Sequence, residues 1–587
     1  MQILSWVFNI FFIFSIFNVF PTSLSLAPVC SDSDRAALLG FKATIIKDTT
    51  EILSSWTGRD CCGGDWEGVQ CDPSTGRVTG LVLQGLERDI DRYMRGILSP
   101  SLATLSFLEV MVISGMKHIT GPIPDSFSTL TRLTQLILED NSLQGNIPPG
   151  LGHLSNLKTL SLNGNRLTGL IPPSLGNLRK LQTLSVARNS LTGSIPITLK
   201  SLLSLQTFDL GFNSLSGAIP DIMGQFQNLT LLELSNNQLS GQLPTSLFNL
   251  PKLQDLALDH NQLIGKIPNQ IGSLKSLTHL TLSSNRFTGQ VPESIARLQN
   301  LWYLNLSRNA FSDPLPMIQS RGLPSLLSVD LSYNNLSLGT IPNWIFEKEL
   351  SDVHLAACKL RGNLPKFTRP ASLNSIDLSN NFLSGGISGF FTNMSSLQRL
   401  KLSNNQLKFD ILEIELPEGI SSVQLQSNQL TGSLSSILNN RTSSFLEVLD
   451  VSGNQISGRI PEFTEGLSLK VLNIGSNKIT GSIPNSISNL IELERLDISR
   501  NQIIGTIPTG LGLISNLQWL DLSINRLTGS IPTSLLQLSN IRHANFRANR
   551  LCGEIPQGKP YNIFPASAYA HNQCLCGKPL PQCRGKK

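Results

Sequence analysis

The chain has 587 residues, 40% hydrophobic, 15% charged and 6% aromatic, with a formal net charge of +6. A length of this order ordinarily implies several globular domains, and so modest a positive charge excludes a polyelectrolyte surface of the kind that grips nucleic acid. A repeat of about 24 residues running through most of the chain overrides the several-domain expectation.

At the N-terminus, residues 3–20 are almost wholly apolar and aromatic, no charge precedes Asp32, and Ser23-Leu24-Ser25 offers small residues for cleavage. This pattern predicts a secretory signal peptide over residues 1–25. The first residues lack Lys and Arg, and the apolar run is nearly long enough to span a bilayer, so an uncleaved anchor is the alternative. No second apolar stretch of about 18 residues follows, and the chain ends in the basic tail Arg584-Gly585-Lys586-Lys587. The expected location is the extracellular space or cell wall, with no transmembrane span after signal removal and no lipid-anchor signal.

Residues 26–77 hold four cysteines, Cys30, Cys61, Cys62 and Cys71, and the segment 551–587 holds four more, Cys552, Cys574, Cys576 and Cys583. Between them lies the repeat region, 78–550. Its clearest units are Leu157-Lys-Thr-Leu160-Ser-Leu162-Asn-Gly-Asn165-Arg-Leu167-Thr-Gly169-Leu-Ile171-Pro172 and the matching run from Leu181 to Pro196. Both read L-x-x-L-x-L-x-x-N-x-L-x-G-x-I-P, the long form of a leucine-rich repeat. The Asn place recurs from Asn141 through Asn165, Asn189 and Asn213 to Asn549, with Cys358 at one occurrence and Lys117 in a degenerate first unit.

Each Leu-x-Leu is a short strand whose leucines point inward while the intervening residues face the inner curve. The Asn amide satisfies backbone groups where the chain leaves the strand. Lys117 cannot accept hydrogen bonds, so the ladder should start frayed there. Gly and Pro in Leu-x-Gly-x-Ile-Pro impose a close turn and stop regular pairing. The fold expected is an α/β-type solenoid, a right-handed horseshoe of about 19–20 coils. It has a parallel concave β-sheet, a mostly irregular or short 3-10 convex side, and a cap at each end.

A solenoid exposes apolar ends, and disulfide-bonded caps cover them in an oxidising compartment. Three connectivities are open within each four-cysteine cap; the expected pairs are Cys30–Cys61, Cys62–Cys71, Cys552–Cys574 and Cys576–Cys583. Cys358 should be a buried structural thiol, since the repeat pattern admits Asn or Cys at its place. Five Asn-x-Ser/Thr acceptors, Asn228, Asn305, Asn335, Asn393 and Asn440, are candidate glycan carriers. Asn305 falls on the inner curve, where a glycan would obstruct a partner.

Asp34-Arg35-Ala-Ala-Leu-Leu-Gly-Phe-Lys42, Leu53-Ser-Ser-Trp56, Cys61-Cys62 and Trp66-Glu-Gly-Val-Gln-Cys71 resemble the amino-terminal cap of plant extracellular leucine-rich repeat proteins. The runs Leu551-Cys552-Gly553-Glu554 and Asn572-Gln-Cys574-Leu-Cys576, ending at Cys583, resemble the carboxy-terminal cap of polygalacturonase-inhibiting proteins and kinase-less receptor-like proteins. The resemblance implies a non-enzymatic recognition protein in defence or development. Inhibitors of that kind typically have about half as many coils.

No catalytic motif emerges. Gly164 and Gly169 have the spacing of a phosphate loop, but Leu170 stands where Lys is required. Neither a His-Glu-x-x-His helix nor a Gly-x-Ser-x-Gly elbow occurs. Recurrent Asp residues in Asp330-Leu-Ser, Asp377-Leu-Ser, Asp497-Ile-Ser and Asp521-Leu-Ser read as solvated strand carboxylates. No cofactor and no metal are expected, and the ordinary alternative for any surface cluster is solvated variation.

Two concave clusters are candidate partner-binding surfaces. The central one comprises Asp255, Asp259, His260, His279, Trp302, Tyr303, Arg308, Tyr333, Asp352 and His354, a mixture suited to protein or peptide recognition. The other is a basic strip around one Trp: Arg495, Arg500, Trp519, Arg542, His543 and Arg547. The partners expected are a protein or peptide ligand, with a receptor kinase or a pathogen enzyme such as a secreted fungal polygalacturonase as specific cases. An anionic cell-wall polysaccharide is the alternative, and nucleic acid is not expected.

Overall fold

The computed structural model describes residues 29–85, 91–316, 318, 322–438 and 444–583. The expected signal segment, the acceptor Asn440 and the basic tail 584–587 lie outside the described residues.

Leucine spacing dictates the architecture. The central residues of successive strands pair in exact register, Leu160 beside Leu184 and then Phe208 and Leu232, so each coil stacks its apolar residues on the last. The result is a concave sheet of 21 strands. It opens with Val69–Asp72 antiparallel to Arg77–Gln84, and every later pairing is parallel, through Val110–Ser114 and Gln135–Ile137 to His543–Asn545. One hydrophobic cluster runs from Cys30 to Tyr569, and most of its leucines have no exposed surface. No coil encloses this interior alone, so stability accrues through neighbour contacts along the stack.

The Asn ladder closes the junctions between coils. Asn165 donates from Nδ2 to the Leu138 and Leu162 carbonyls at 2.8 and 3.0 Å, and its Oδ1 accepts from Leu143 N at 3.0 Å. One side chain thus satisfies three enclosed backbone groups that would otherwise cost about 1–3 kcal/mol each. The ladder carries one rung past Asn549 into the terminal cap: Asn572 donates to Phe546 O and Tyr569 O and accepts from Leu551 N.

At the start, Met116 and not Lys117 occupies the ladder place. Met111 pairs with Leu136, an offset one residue longer than in the coils that follow directly, and Asn141 reaches back to Ile113 O, three residues before Met116. Met116 is fully buried, whereas Lys117 has φ 63° and directs Nζ to Arg92 O at 3.3 Å. The ladder does begin frayed, because Asn141 Oδ1 is enclosed without a hydrogen-bond partner. Cys358 fills a ladder place with its Sγ 3.6 Å from the Leu331 and Ala356 carbonyls, and burial pushes its thiol up to about 12. There too the following residue, Lys359, is left-handed (φ 56°).

The convex half is more ordered than its Gly and Pro content suggests. A second sheet of eleven strands runs from Ile45–Asp48 to Ala310–Phe311, and from Ser142–Asn146 onward it is built from the residues that follow each ladder Asn. Arg166–Leu170, for example, pairs with Ser142–Asn146 and Ser190–Gly193. Gly169 (φ 77°) makes the turn that ends such a strand, a conformation open to glycine at little cost. Beyond Phe311 the sheet breaks up into single bridges such as Ser312 with Asn335 and Gly339 with Leu360 and one short three-stranded sheet, Arg361–Gly362, Phe382–Gly385 and Gln406–Leu407. Pro172 then introduces the 3-10 turn Pro173–Asn177, and Pro196 and Pro532 do the same for Ile197–Ser201 and Thr533–Gln537.

Both ends are sealed. The helix Asp32–Lys42 presents Leu38 and Phe41 to the interior; Trp56 stacks on Trp66 at 5.4 Å, and buried Asp34 binds Arg77 at 2.8 Å. Cys30 is joined to Cys61 and Cys62 to Cys71. At the far end Cys552–Glu554 pairs with Cys574–Cys576, with bridges Cys552–Cys574 and Cys576–Cys583.

Candidate recognition surface

The strand x-Leu-x fixes only its middle residue, so the flanking side chains project from the concave sheet free of packing constraint. A second outward row comes from the residue just before each ladder position. His260, Arg308, Tyr333 and Arg500 all hold this place with φ of 53–55°. The left-handed conformation costs a non-glycine residue about 1 kcal/mol, and it recurs because the ladder bond that follows requires that turn.

In the central coils the structure joins the sequence-predicted residues into connected groups. His279 Nδ1 lies 2.7 Å from Asp255 Oδ1 on the neighbouring strand, and its ring meets Trp302 edge-on at 3.9 Å. Trp302 and Tyr303 stand T-shaped at 6.1 Å. His260 pairs with Asp259 at 2.9 Å, and Arg308 covers the Tyr333 ring at 4.7 Å. His354 contacts Ser375 Oγ at 3.0 Å and faces Asp330 at 3.9 Å, while Asp352 stands between Ser328 and Ser375 in the register.

At the C-terminal coils, Arg495, Trp519 and His543 are adjacent in register and stacked: the guanidinium lies 4.7 Å from the indole, and the indole 3.7 Å from the imidazole. Arg500, Arg542 and Arg547 are exposed around this stack. The two clusters are separate, with five strands between Asp352–His354 and Arg495–Asp497 that belong to neither.

Several features of the surface escape the sequence patterns. A cleft of about 750 Å³ opens at the edge of the concave sheet, lined by Gln254, Thr278, Asn300, Trp302 and Leu327. Trp302 and Leu327 are 36% and 46% exposed, large apolar groups that the core does not need. Asn380 donates to Tyr333 OH at 3.0 Å and Asn404 to Asn380 Oδ1 at 3.1 Å, so the exposed row carries a hydrogen-bonded rail. Nothing in the repeat marks these residues, because they occupy places where any side chain fits.

The recurrent Asp residues are not simply solvated. Asp330, Asp377, Asp497 and Asp521 each accept from the Ser N–H two residues on, at 2.9–3.0 Å, so D-x-S closes a local turn as the strand ends. Asp209 and Glu233 go further. Desolvation by burial raises both carboxyls, and it pushes Glu233 up to about 7 against the hydrogen bonds from Ser235, with Asp209 and Asp259 adding repulsion. Asn305 is half-buried; its Oδ1 accepts from Ser307 N and Oγ, and its Nδ2 lies 3.4 Å from Tyr303 OH. The Cys30, Cys61 and Cys62 sulfurs lie within 4.8 Å of one another, but all are in disulfides and offer no thiolate to a metal.

Residues 31–72 match the leucine rich repeat N-terminal domain. Leucine rich repeat matches cover 131–311, 372–394, 444–503 and 516–538. The chain is a leucine-rich repeat protein. Its structure is similar to the plant peptide hormone receptor RGFR1 in complex with RGF2, at 30% identity and TM-score 0.62 over 82% of this chain and 81% of that one. It is likewise similar to the Arabidopsis receptor kinase HAESA in complex with the peptide hormone IDA and the co-receptor SERK1, at 30% identity and TM-score 0.56 over 93% and 98%.

Among curated sequences, this leucine-rich repeat protein is 33% identical over 132 residues to the DNA damage-repair/toleration protein DRT100 of Arabidopsis thaliana, covering 21% of this chain and 36% of that one. It is 37% identical over 115 residues to a polygalacturonase inhibitor of Vitis vinifera, covering 19% and 32%. The chain spans about a third of the curated relatives it matches. Among the described residues, no helix is long and apolar enough to cross a membrane.

Proposed function

We propose that this protein is a secreted, non-enzymatic receptor-like recognition protein of the plant extracellular space or cell wall, binding a protein or peptide through its concave sheet in defence or developmental signalling. The observation that carries this reading is the central cluster: Asp255, His279, Trp302 and Tyr303 form one contiguous group on a face where the fold prescribes none of them. Likeness to receptors solved with peptide hormones supports it. Four disulfides suit an oxidising compartment. Glycans on Asn335 and Asn393, which are exposed, would leave the central face open. The test is capture of partners from plant extracellular fluid by the protein and by a Trp302→Ala/Tyr303→Ala variant. Loss of specific partners from the variant is expected; an unchanged set would reject the concave surface as the binding face.

Direct inhibition of a secreted polygalacturonase is a second reading, favoured by the sequence likeness to polygalacturonase inhibitors. Undiminished turnover of a panel of fungal pectinases in the presence of the protein would rule it out. Polysaccharide binding by the exposed Arg495, Arg500, Arg542 and Arg547 is a third, and it requires salt-sensitive retention on oligogalacturonate.

A further inference from the structure

Charge is segregated along the concave sheet. Eight successive strands, from Thr207–Asp209 to Ser375–Asp377, carry Asp209, Glu233, Asp255, Asp330, Asp352 and Asp377 and no Lys or Arg. Nearby cations sit outside these strands: Arg188 toward Asp209, Arg308 over the Tyr333 ring, and Arg399 and Lys401 on the next strand, Lys401 beside Asp377. Six carboxylates in so short a span repel one another, and a bound cation relieves that repulsion. Beside them lies the cleft with exposed Trp302 and Leu327 on its wall. At about 4.8 Å per strand the acidic stretch is about 34 Å long, the span of about ten residues of extended peptide.

We propose that the central concave face receives an extended cationic peptide segment, its Lys or Arg side chains over the acidic strands and one apolar side chain in the cleft at Trp302 and Leu327. This rests on the concave-recognition reading above and adds the chemistry of the partner. It also sets a pH dependence. Raising the pH deprotonates Glu233, whose carboxyl is held near 7 and is faced by Asp209, Asp259 and the Ser235 N–H. The face therefore becomes more negative as the pH rises through about 7, and the cationic ligand binds more tightly.

The test uses two fluorescent Gly/Ser peptides of about ten residues, each with one central Leu, one bearing several Arg residues and the other as many Glu. Anisotropy titrations should give at least about tenfold tighter binding of the Arg peptide, strengthening with pH and weakening with salt. The double variant Asp255→Lys/Asp352→Lys should abolish the preference, and Arg495→Glu/Arg547→Glu should leave it intact, with thermal melts confirming that each variant is folded. Trp302→Ala should weaken the Leu-bearing Arg peptide but not its Leu→Ser counterpart. Equal binding of the two peptides, absence of binding, or indifference to the Asp255/Asp352 reversal overturns the proposal. If extracellular partners are still lost with Trp302→Ala/Tyr303→Ala, the concave-recognition reading survives that failure; if they are not, both fall.

Discussion

Cys358 shows what one ladder position is worth. Its sulfur stands 3.6 Å from carbonyls that an Asn amide reaches at about 3 Å, and it offers no strong acceptor to the coil before it. Cys358→Asn should raise unfolding free energy by about 1 kcal/mol in a denaturant titration, and a loss of stability would show that sulfur packing outweighs the hydrogen bonds. Glu233 makes a complementary case. Burial lifts its carboxyl from 4.5 to about 7, so between those values the folded state holds a proton that the unfolded state has released. Stability should fall by up to about 3 kcal/mol as pH rises through that window and level off above it. Glu233→Gln should flatten that part of the profile, and an unchanged profile would place the titrating group elsewhere. The Leu-x-Leu and Asn places make the ladder legible from residue order, whereas Glu233 is not: its neighbours come from Asp209 and Asp259 on adjacent coils, about 24 residues away.

At the level of elements, the concave strands follow directly from alternation of leucine with variable residues, and the caps follow from clustered cysteines. The eleven-strand second sheet does not. Its strands contain the Gly that ordinarily interrupts pairing, and they form because each coil presents the same extended segment to the next at the same height. Likewise, Met116 holds the first ladder place because one extra residue shifts that coil, and such a slip becomes visible only when strands are set in register. Element packing also governs the response to core damage. Leu280 is fully buried at the centre of His279–Thr281, directly beneath the candidate surface. Leu280→Ala should cost about 2–5 kcal/mol and raise amide exchange most in the adjoining coils. Uniform acceleration along the whole chain would instead mark a single cooperative unit.

At the scale of the molecule, a capped stack of coils is a stiff scaffold whose inner face is released from packing duty. Sequence periodicity conveys that scaffold almost completely, since every coil repeats one solution to burying leucine. The candidate recognition residues break no rule of the repeat and obey none, and sequence position alone did select Asp255, His279, Trp302 and Tyr303, which the fold brings into contact. It did not disclose the cleft at Leu327 or the rail from Tyr333 to Asn404, because both depend on side chains meeting across coils. The central claim is that the inner face of the middle coils is the recognition surface. Hydrogen exchange of the protein with and without a captured extracellular partner tests it directly. Protection centred on the strands from Asp255–Ala257 to Asp352–His354 is the expected result. Protection confined to the convex 3-10 turns, with those strands unchanged, would contradict the account.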